Sequence, residues 1–379
     1  MITALLVLNV IFWSIALIEA VIGYRTIYRL EDMTANSQYE PLVSVIIAAR
    51  NEEIAIKRSI QSQFQQHYKN IEWIAINDRS TDTTGEILDC LQRENENLKA
   101  VQIKELPEGW LGKNYALYQG YQHSNGDYLV FTDADVMYHP DTIGKAVTFL
   151  DQQKIDHLTI SPNLDATGFW LRAFVAFFLF GFSFFKRPWL ANVDSSKIGM
   201  GIGAFNLITR DAYDKIGTHK AIAMRPDDDL QLGYKIKKLG LRQRIVTGIT
   251  LLKVKWYDSL KAALIGLEKN TFAGLHYRLS MVFIAMAGTF LSHVLPFITL
   301  FSARKLHLFL SIITILLIFS LYILVTRRMT SFSPFNFIAF PFTALLFIYS
   351  IGRASFLTFK RGGIVWRGTK YSLKELRKR

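Results

Sequence analysis

One cysteine, Cys90, stands in 379 residues. That excludes an intramolecular disulfide, offers no cysteine metal-ligand spacing and fits a reducing compartment. The chain has no internal repeat and no nucleic-acid-binding motif, and its only compositional bias is phenylalanine, 28 residues. Acid is scarce: 31 Asp and Glu face 44 Lys and Arg, a formal charge of +13. Residues 360–379 hold eight Lys/Arg against one Glu, so about half of that excess is confined to the tail. Basic residues beside apolar segments mark the cytoplasmic side of a membrane, and no nucleic acid is expected as a partner.

Apolar residues are plentiful, 50% of the chain, with a mean hydropathy of +0.19. Residues 2–23 form an apolar stretch of spanning length without a small-residue cleavage exit, which reads as a retained anchor within residues 1–24. Arg25 and Arg29 follow it and no Lys or Arg precedes it, so the N-terminus is expected outside. Apolar stretches return at 279–301, 306–325 and 335–352, within a transmembrane region assigned to 279–357. A Phe-rich run at 169–185 is shorter, contains Arg172 and interrupts the soluble part. It is expected to lie in the headgroup plane. These counts conflict: four crossings from an external N-terminus place the basic tail, 358–379, outside, whereas its charge argues for the inside. Pro334 and Pro341 leave a re-entrant segment open.

Between residues 40 and 255 the pattern is that of an α/β domain. Apolar runs at 42–48, 71–76 and 127–131 alternate with polar helix-like segments, which favours a mostly parallel sheet with ligands at the carboxyl ends of its strands. A connector, 256–278, leads to the apolar region. Acidic residues gather at the strand ends. Asp78 opens DRSTD (78–82), where Ser80 or Thr81 could simply cap the next helix or Asp78 could accept from a base or ribose. Asp133 and Asp135 lie in FTDADV (131–136). Two aspartates in a loop are commonly solvated, but at a strand end they suit Mg²⁺ or Mn²⁺, which take oxygen ligands together with substrate phosphates. Asp227, Asp228 and Asp229 open a helix-like segment whose Leu230, Gly233, Tyr234, Ile236 and Leu239 recur at helical spacing. Acids are welcome at a helix N-terminus, yet packed carboxylates also raise one another's pKa, one way to make a general base. Lys113, in EGWLGKNYALYQG (108–120), is either a solvated turn residue or a phosphate contact.

The segments AARNEE (48–53), NDRSTDTT (77–84), EGWLGKNYALYQG, FTDADV, GAFNLITRDAYDKIGTHKAI (203–222), DDDLQLGYKIKKLG (227–240) and WRGTKY (366–371) resemble, in order, membrane-bound family 2 glycosyltransferases, especially those that glycosylate hopanoid-associated and carotenoid lipids. The resemblance implies a GT-A fold with a Rossmann-like sheet, a nucleotide-sugar donor such as a UDP-sugar, a divalent cation and inversion at the anomeric carbon. It implies that Glu52 and Asp78 contact the nucleoside, that Asp133 and Asp135 serve the metal, ribose and diphosphate, and that Lys113 lies near the donor. Asp229 is implied as the base, with Asp228 beside it, and 203–208 as an acceptor-side loop. The Gln-x-x-Arg-Trp signature of processive synthases is missing, and the usual Glu-Asp pair is Asp228-Asp229.

The expected protein is a multi-pass enzyme of the inner or plasma membrane, its catalytic domain cytoplasmic. It would transfer one sugar to a hydroxyl of a lipid acceptor, an isoprenoid, carotenoid, hopanoid-like or glycerolipid molecule. The alternatives are a processive polysaccharide synthase and a non-enzymatic transporter or scaffold, which would leave the strand-end motifs without purpose.

Overall fold

The computed structural model describes residues 1–35, 40–275, 277–366 and 369–373. Residues 367, 368 and 374–379 of the basic tail, including part of WRGTKY, lie outside the described residues. The chain divides into a helical unit, Met1–Tyr24, Ala166–Arg187 and Trp256–Arg379, and a sheet unit, Arg25–Asp165 and Pro188–Lys255. The sheet unit therefore begins earlier than residue 40, and the Phe-rich run is not part of it.

After α1 (Ile2–Tyr24), which belongs to the helical unit, nine strands build one sheet: β1 (Tyr28–Arg29), β2 (Val43–Ala49), β3 (Ile71–Asp78), β4 (Leu98–Ile103), β5 (Tyr128–Asp133), β6 (Val136–Tyr138), β7 (His157–Asp165), β8 (Asn206–Thr209) and β9 (Gln243–Lys255). Their order is β1-β9-β7-β8-β5-β2-β3-β4, with β6 on β9. Pairing is parallel except where β8 meets β5 and β7 and where β6 meets β9. Helices α2 (Ile56–Phe64), α3 (Thr84–Glu94), α4 (Gly112–Gln122) and α5 (Thr142–Gln153) connect the strands. Beyond α6 (Phe169–Lys186), α7 (Arg210–Lys215) and α8 (Asp228–Lys238) complete this unit.

Successive residues of β2 serve different cores. Val43, Val45 and Ile47 pack with Leu88 and Phe149, whereas Ile46 packs with Ile74, Ala116 and Leu117 from the opposite face. Burial on both faces explains why the strand reads as an unbroken apolar run. The chain steps from β2 to β3 to β4 and then returns to place β5 on the other side of β2. That reversal opens a crevice at the strands' carboxyl ends. Asp78 and Asp133 are the last residues of β3 and β5, not residues beyond them.

In the helical unit, α1 and α6 are joined by α9 (Leu260–Gly266), α10 (Glu268–Gly274), α11 (Leu279–Thr289), α12 (Leu295–Thr299), α13 (Lys305–Met329) and α14 (Phe340–Arg361), followed by a hairpin of β10 (Gly363–Trp366) and β11 (Thr369–Ser372). A π-helical turn, Phe290–Val294, separates α11 from α12, and a 3₁₀ turn, Pro334–Ala339, leads into α14. Five helical stretches, 2–24, 169–186, 279–299, 305–329 and 334–361, are long and apolar enough to cross a membrane. Aromatic rings fill the unit's centre: Trp13, Phe177, Phe180 and Phe340 surround His293. Arg187, at the end of α6, pairs with Glu19 of α1, so the charge within the first apolar stretch is matched.

Candidate active site

The site is assembled at the carboxyl edge of β2, β3 and β5. Beyond β2, Asn51 adopts the left-handed conformation, as does Arg79 beyond β3, and the two loops lace together. Asn51 N–H donates to Ser80 Oγ at 3.0 Å, Thr81 N–H donates to Asn51 Oδ1 at 2.8 Å, and Glu52 N–H donates to Thr84 Oγ1 at 2.8 Å. Ser80 and Thr81 are thus engaged by Asn51 and do not cap α3. The Asp82 carboxylate instead accepts from Thr84 N–H at 3.1 Å and from Glu53 N–H at 3.2 Å. Glu52 is held in this laced edge by its backbone.

Asp78 is buried between two guanidinium groups, Arg79 Nε at 2.8 Å and Arg50 Nη1 at 3.8 Å. Neither arginine stands out in the sequence, although Arg50 directly follows β2 and Arg79 directly follows β3. Gly112, at the start of α4, lies so close that a Cβ there would run into the Asp78 carboxylate. The positive end of α4 therefore meets this acid.

One turn of α4 supplies two different contacts. Lys113 Nζ lies 2.8 Å from Asp133 Oδ1 and 3.5 Å from Asp228 Oδ2. Burial alone would lower the pKa of this ammonium, but Asp133, Asp228 and Asp229 hold it well above its ordinary value. Asn114, fully buried, donates from Nδ2 to the carbonyls of Ile222, Ala223 and Arg225 at 2.8, 3.1 and 2.9 Å. It ties α4 to the segment that delivers the three aspartates.

Those aspartates separate into three roles. Asp227 forms a two-pronged pair with Arg225, both contacts at 2.9 Å, and accepts from Gln231. Asp228 is buried against Lys113, its pKa raised by desolvation and by the nearby Asp133 in spite of that lysine. Asp229 accepts from Gly203 N–H at 2.9 Å on Oδ2 and from Leu230 N–H at 2.8 Å on Oδ1. Desolvation first, and then the Asp228 charge, pushes its carboxyl up to about 7. On α8 itself, Leu232 and Ile236 face the core while Tyr234 is exposed, as is Leu239 just past its end. The apolar spacing of the sequence thus describes only part of the buried face.

The loop 199–203 closes the arrangement by close approach. A Cβ on Gly201 would collide with the Asp229 carbonyl, and one on Gly203 would lie 2.6 Å from Asp133 Oδ2 and 3.4 Å from Lys113 Nζ. Asp133 N–H donates to Gly203 O at 3.0 Å. Asp133, Asp228, Asp229 and Lys113 are thereby brought together, Asp78 lies by the start of α4, and Asp135 stands half-buried two residues beyond Asp133. Among the described residues no group of three or more His, Cys, Asp or Glu side chains could hold a metal ion.

Comparison with known proteins agrees with this reading of the sheet. Residues 44–217 match the glycosyl transferase family 2 model, which ends before Asp228. The chain is 23% identical over 364 residues to the 4,4'-diaponeurosporenoate glycosyltransferase of Staphylococcus aureus, covering 91% of this chain and 92% of that one. It is 40% identical over 119 residues to an uncharacterized glycosyltransferase of Haemophilus influenzae, but this match spans only 31% of this chain and 35% of the relative. Among solved structures, a mannosyltransferase from Pyrobaculum calidifontis, in complex with GDP-Man and Mn²⁺, has a TM-score of 0.55 at 16% identity, covering 94% of this chain and 98% of that one. Over residues 44–217 the chain is thus similar to glycosyl transferase family 2, on a sheet of GT-A-like fold, with candidate membrane-spanning helices before, within and after that stretch.

Proposed function

We propose that this protein transfers a single sugar, with inversion, from a nucleotide-sugar donor such as a UDP-sugar to a hydroxyl of a membrane lipid of the isoprenoid, carotenoid or hopanoid-like class. The observation that carries the reading is Asp229, a carboxyl at about 7 beside Asp228, Lys113 and Asp133 in one crevice. A base of that pKa is half ionised near neutrality, where general-base catalysis is most effective. The Asp229 carboxylate takes the acceptor's hydroxyl proton as the oxygen forms its bond to the sugar's C1. The bond from C1 to the diphosphate oxygen breaks, and the nucleoside diphosphate leaves with the electron pair.

The other residues position and neutralise. Asp78 and Glu52 face the nucleoside at the reversal of strand order. Asp133 and Asp135 fit Mg²⁺ or Mn²⁺, which favour one or two carboxylates completed by donor phosphates rather than an all-protein cage. A cation bound there would supply charge neutralisation of the leaving diphosphate. Lys113 lies against Asp133 and Asp228 and offsets part of the negative charge gathered there.

The helical unit supports a lipid acceptor. β7 and β8, the strands on either side of α6, pair directly at His157 and Ile208. A crossing at α6 would place these partners in opposite compartments, so α6 begins and ends on one side of the bilayer. With the N-terminus outside, the sheet domain is cytoplasmic. The test is to incubate membranes with labelled UDP-glucose, UDP-N-acetylglucosamine and GDP-mannose and to separate organic from aqueous product. Label in the organic phase with one donor is expected. Label confined to an aqueous polymer would replace this reading with a processive synthase.

A further inference from the structure

Helices α1 and α13 fix the two ends of the helical unit. Thr3 Oγ1 meets His307 Nε2 at 2.9 Å near the starts of both. Further along, Phe180 joins Trp13 of α1 to Tyr322 of α13, with ring centroids 5.5 and 6.2 Å apart. The two helices therefore run parallel, and Met329 ends at the same level as Tyr24. At Tyr24 the chain passes into the sheet unit. Helix α11 runs the other way. It starts after α9 and α10, where the chain has just left the sheet unit at Lys255, and its continuation reaches the far end, where Thr299 Oγ1 meets Ser311 Oγ at 2.7 Å.

The segment after α13 does not return to that far end. Phe337, in the 3₁₀ turn, packs on Phe319, Tyr322 and Phe297, and Phe340 stacks on His293 at 5.8 Å. Phe319 lies about 15 Å along α13 from Met329 and about 18 Å short of His307, at the rise of an α-helix. The apex is thus near mid-depth of a hydrocarbon layer of about 30 Å. From there α14 runs back. Ile351 and Ala354 pack with Val282, Phe359 meets Phe272 at 5.4 Å, and Arg353 and Arg361 each pair with Glu268, at 2.8 and 2.7 Å. Phe272 and Glu268 precede α11, on the side where the chain enters from the sheet unit.

We propose that residues 330–361 form a re-entrant hairpin rather than a crossing, so that the chain spans the bilayer three times, at α1, α11–α12 and α13, and returns its basic C-terminal segment to the side of the sheet domain. Irregular backbone at membrane depth is tolerated only where protein satisfies it. Here Thr330 Oγ1 accepts from Phe332 N–H, Ser333 Oγ accepts from Phe335 N–H, and Asn336 N–H donates to Ser333 O. Pro334 and Pro341 bring no N–H to satisfy. Asn336 and Ala339 are buried, while Phe335 and Ile338 are exposed as lipid-facing residues would be. Charge agrees independently. Arg327, Arg328, Arg353, Lys360 and Arg361 fall at the end of the helical unit where Tyr24 leaves it, while Arg304 and Lys305 fall at the other end, the distribution that positive-inside orientation requires. The conflict between an external N-terminus and an internal basic tail disappears with an odd number of crossings.

The test uses the full chain in intact cells. In a Cys90→Ser background, Ser302→Cys and Ser372→Cys are each treated with a membrane-impermeant maleimide. Ser302→Cys is expected to react in intact cells, and Ser372→Cys only after the membrane is opened. Equal labelling of both in intact cells would overturn the proposal. A C-terminal epitope on the otherwise unaltered protein gives a second reading: protease added to inverted vesicles should remove it, and protease added to intact cells should not. The reverse result would also overturn the hairpin. Neither readout depends on catalysis.

Discussion

Gly203 and Asp229 are joined by one hydrogen bond, N–H to Oδ2 at 2.9 Å, although they lie 26 residues apart. That bond aims one carboxylate oxygen and leaves further lone pairs to accept a proton. The same glycine has no room for a side chain toward Asp133 and Lys113. Gly203→Ala should therefore displace the loop or the Lys113–Asp133 pair. Misplacement of reacting groups by about 1 Å costs about 10²-fold. The expected result is a fall in kcat of that order with an unchanged far-ultraviolet circular dichroism spectrum.

Replacing the proposed base should separate chemistry from binding. Asp229→Asn is expected to lower kcat by about 10²–10⁴-fold while donor affinity persists. Near-wild-type turnover would remove Asp229 from the role. In the unaltered enzyme the rate should rise with pH as this carboxyl ionises around 7.

The same group should shape stability in the opposite sense. Its pKa is raised on folding, so the folded state holds the proton more tightly than the unfolded chain does. That stabilisation is complete below about pH 4 and is lost as pH rises towards 7. Asp229→Asn keeps an uncharged group at every pH. Its denaturation midpoint relative to the unaltered protein should therefore rise between pH 5 and pH 8, measured in detergent or nanodiscs.

Asn114 is a positioning residue. Its amide nitrogen serves three buried carbonyls on the segment before Asp227. Asn114→Leu should cost on the order of 2–3 kcal/mol by leaving acceptors unsatisfied. It should also reduce kcat more than it raises KM for donor, since the segment carries Asp228 and Asp229 rather than the nucleotide edge.

Asp135→Ala addresses the cation. It should weaken manganese-dependent binding of the nucleoside diphosphate, followed by calorimetric titration with and without Mn²⁺, while the metal-free affinity changes little. An unchanged titration would unseat the Asp133–Asp135 assignment.

Much of the sheet domain was legible because β2, β3 and β5 are buried on both faces and read as apolar runs, two of which, β3 and β5, end in acid. Asp78 and Asp133 stand out for that reason. The division of labour among Asp227, Asp228 and Asp229 was not legible, because it depends on Arg225, Lys113 and Gly203, which folding brings to them from separate directions. Gly201 and Gly203 carry no periodic signal; their importance lies in what a Cβ would strike. The C-terminal apolar stretch qualifies as a span by length and composition, which is all that hydropathy measures. That Phe340 packs on His293 and Tyr322 emerges only from the fold.

The placement of α6 between β7 and β8 constrains how this enzyme can be made. Removing both terminal helical regions would not liberate a water-soluble catalytic fragment, since 18 largely aromatic and aliphatic residues would remain tethered through the middle of the sheet. During synthesis, β8 emerges from the ribosome only after α6, so β7 waits for its neighbour until that whole helix has been made.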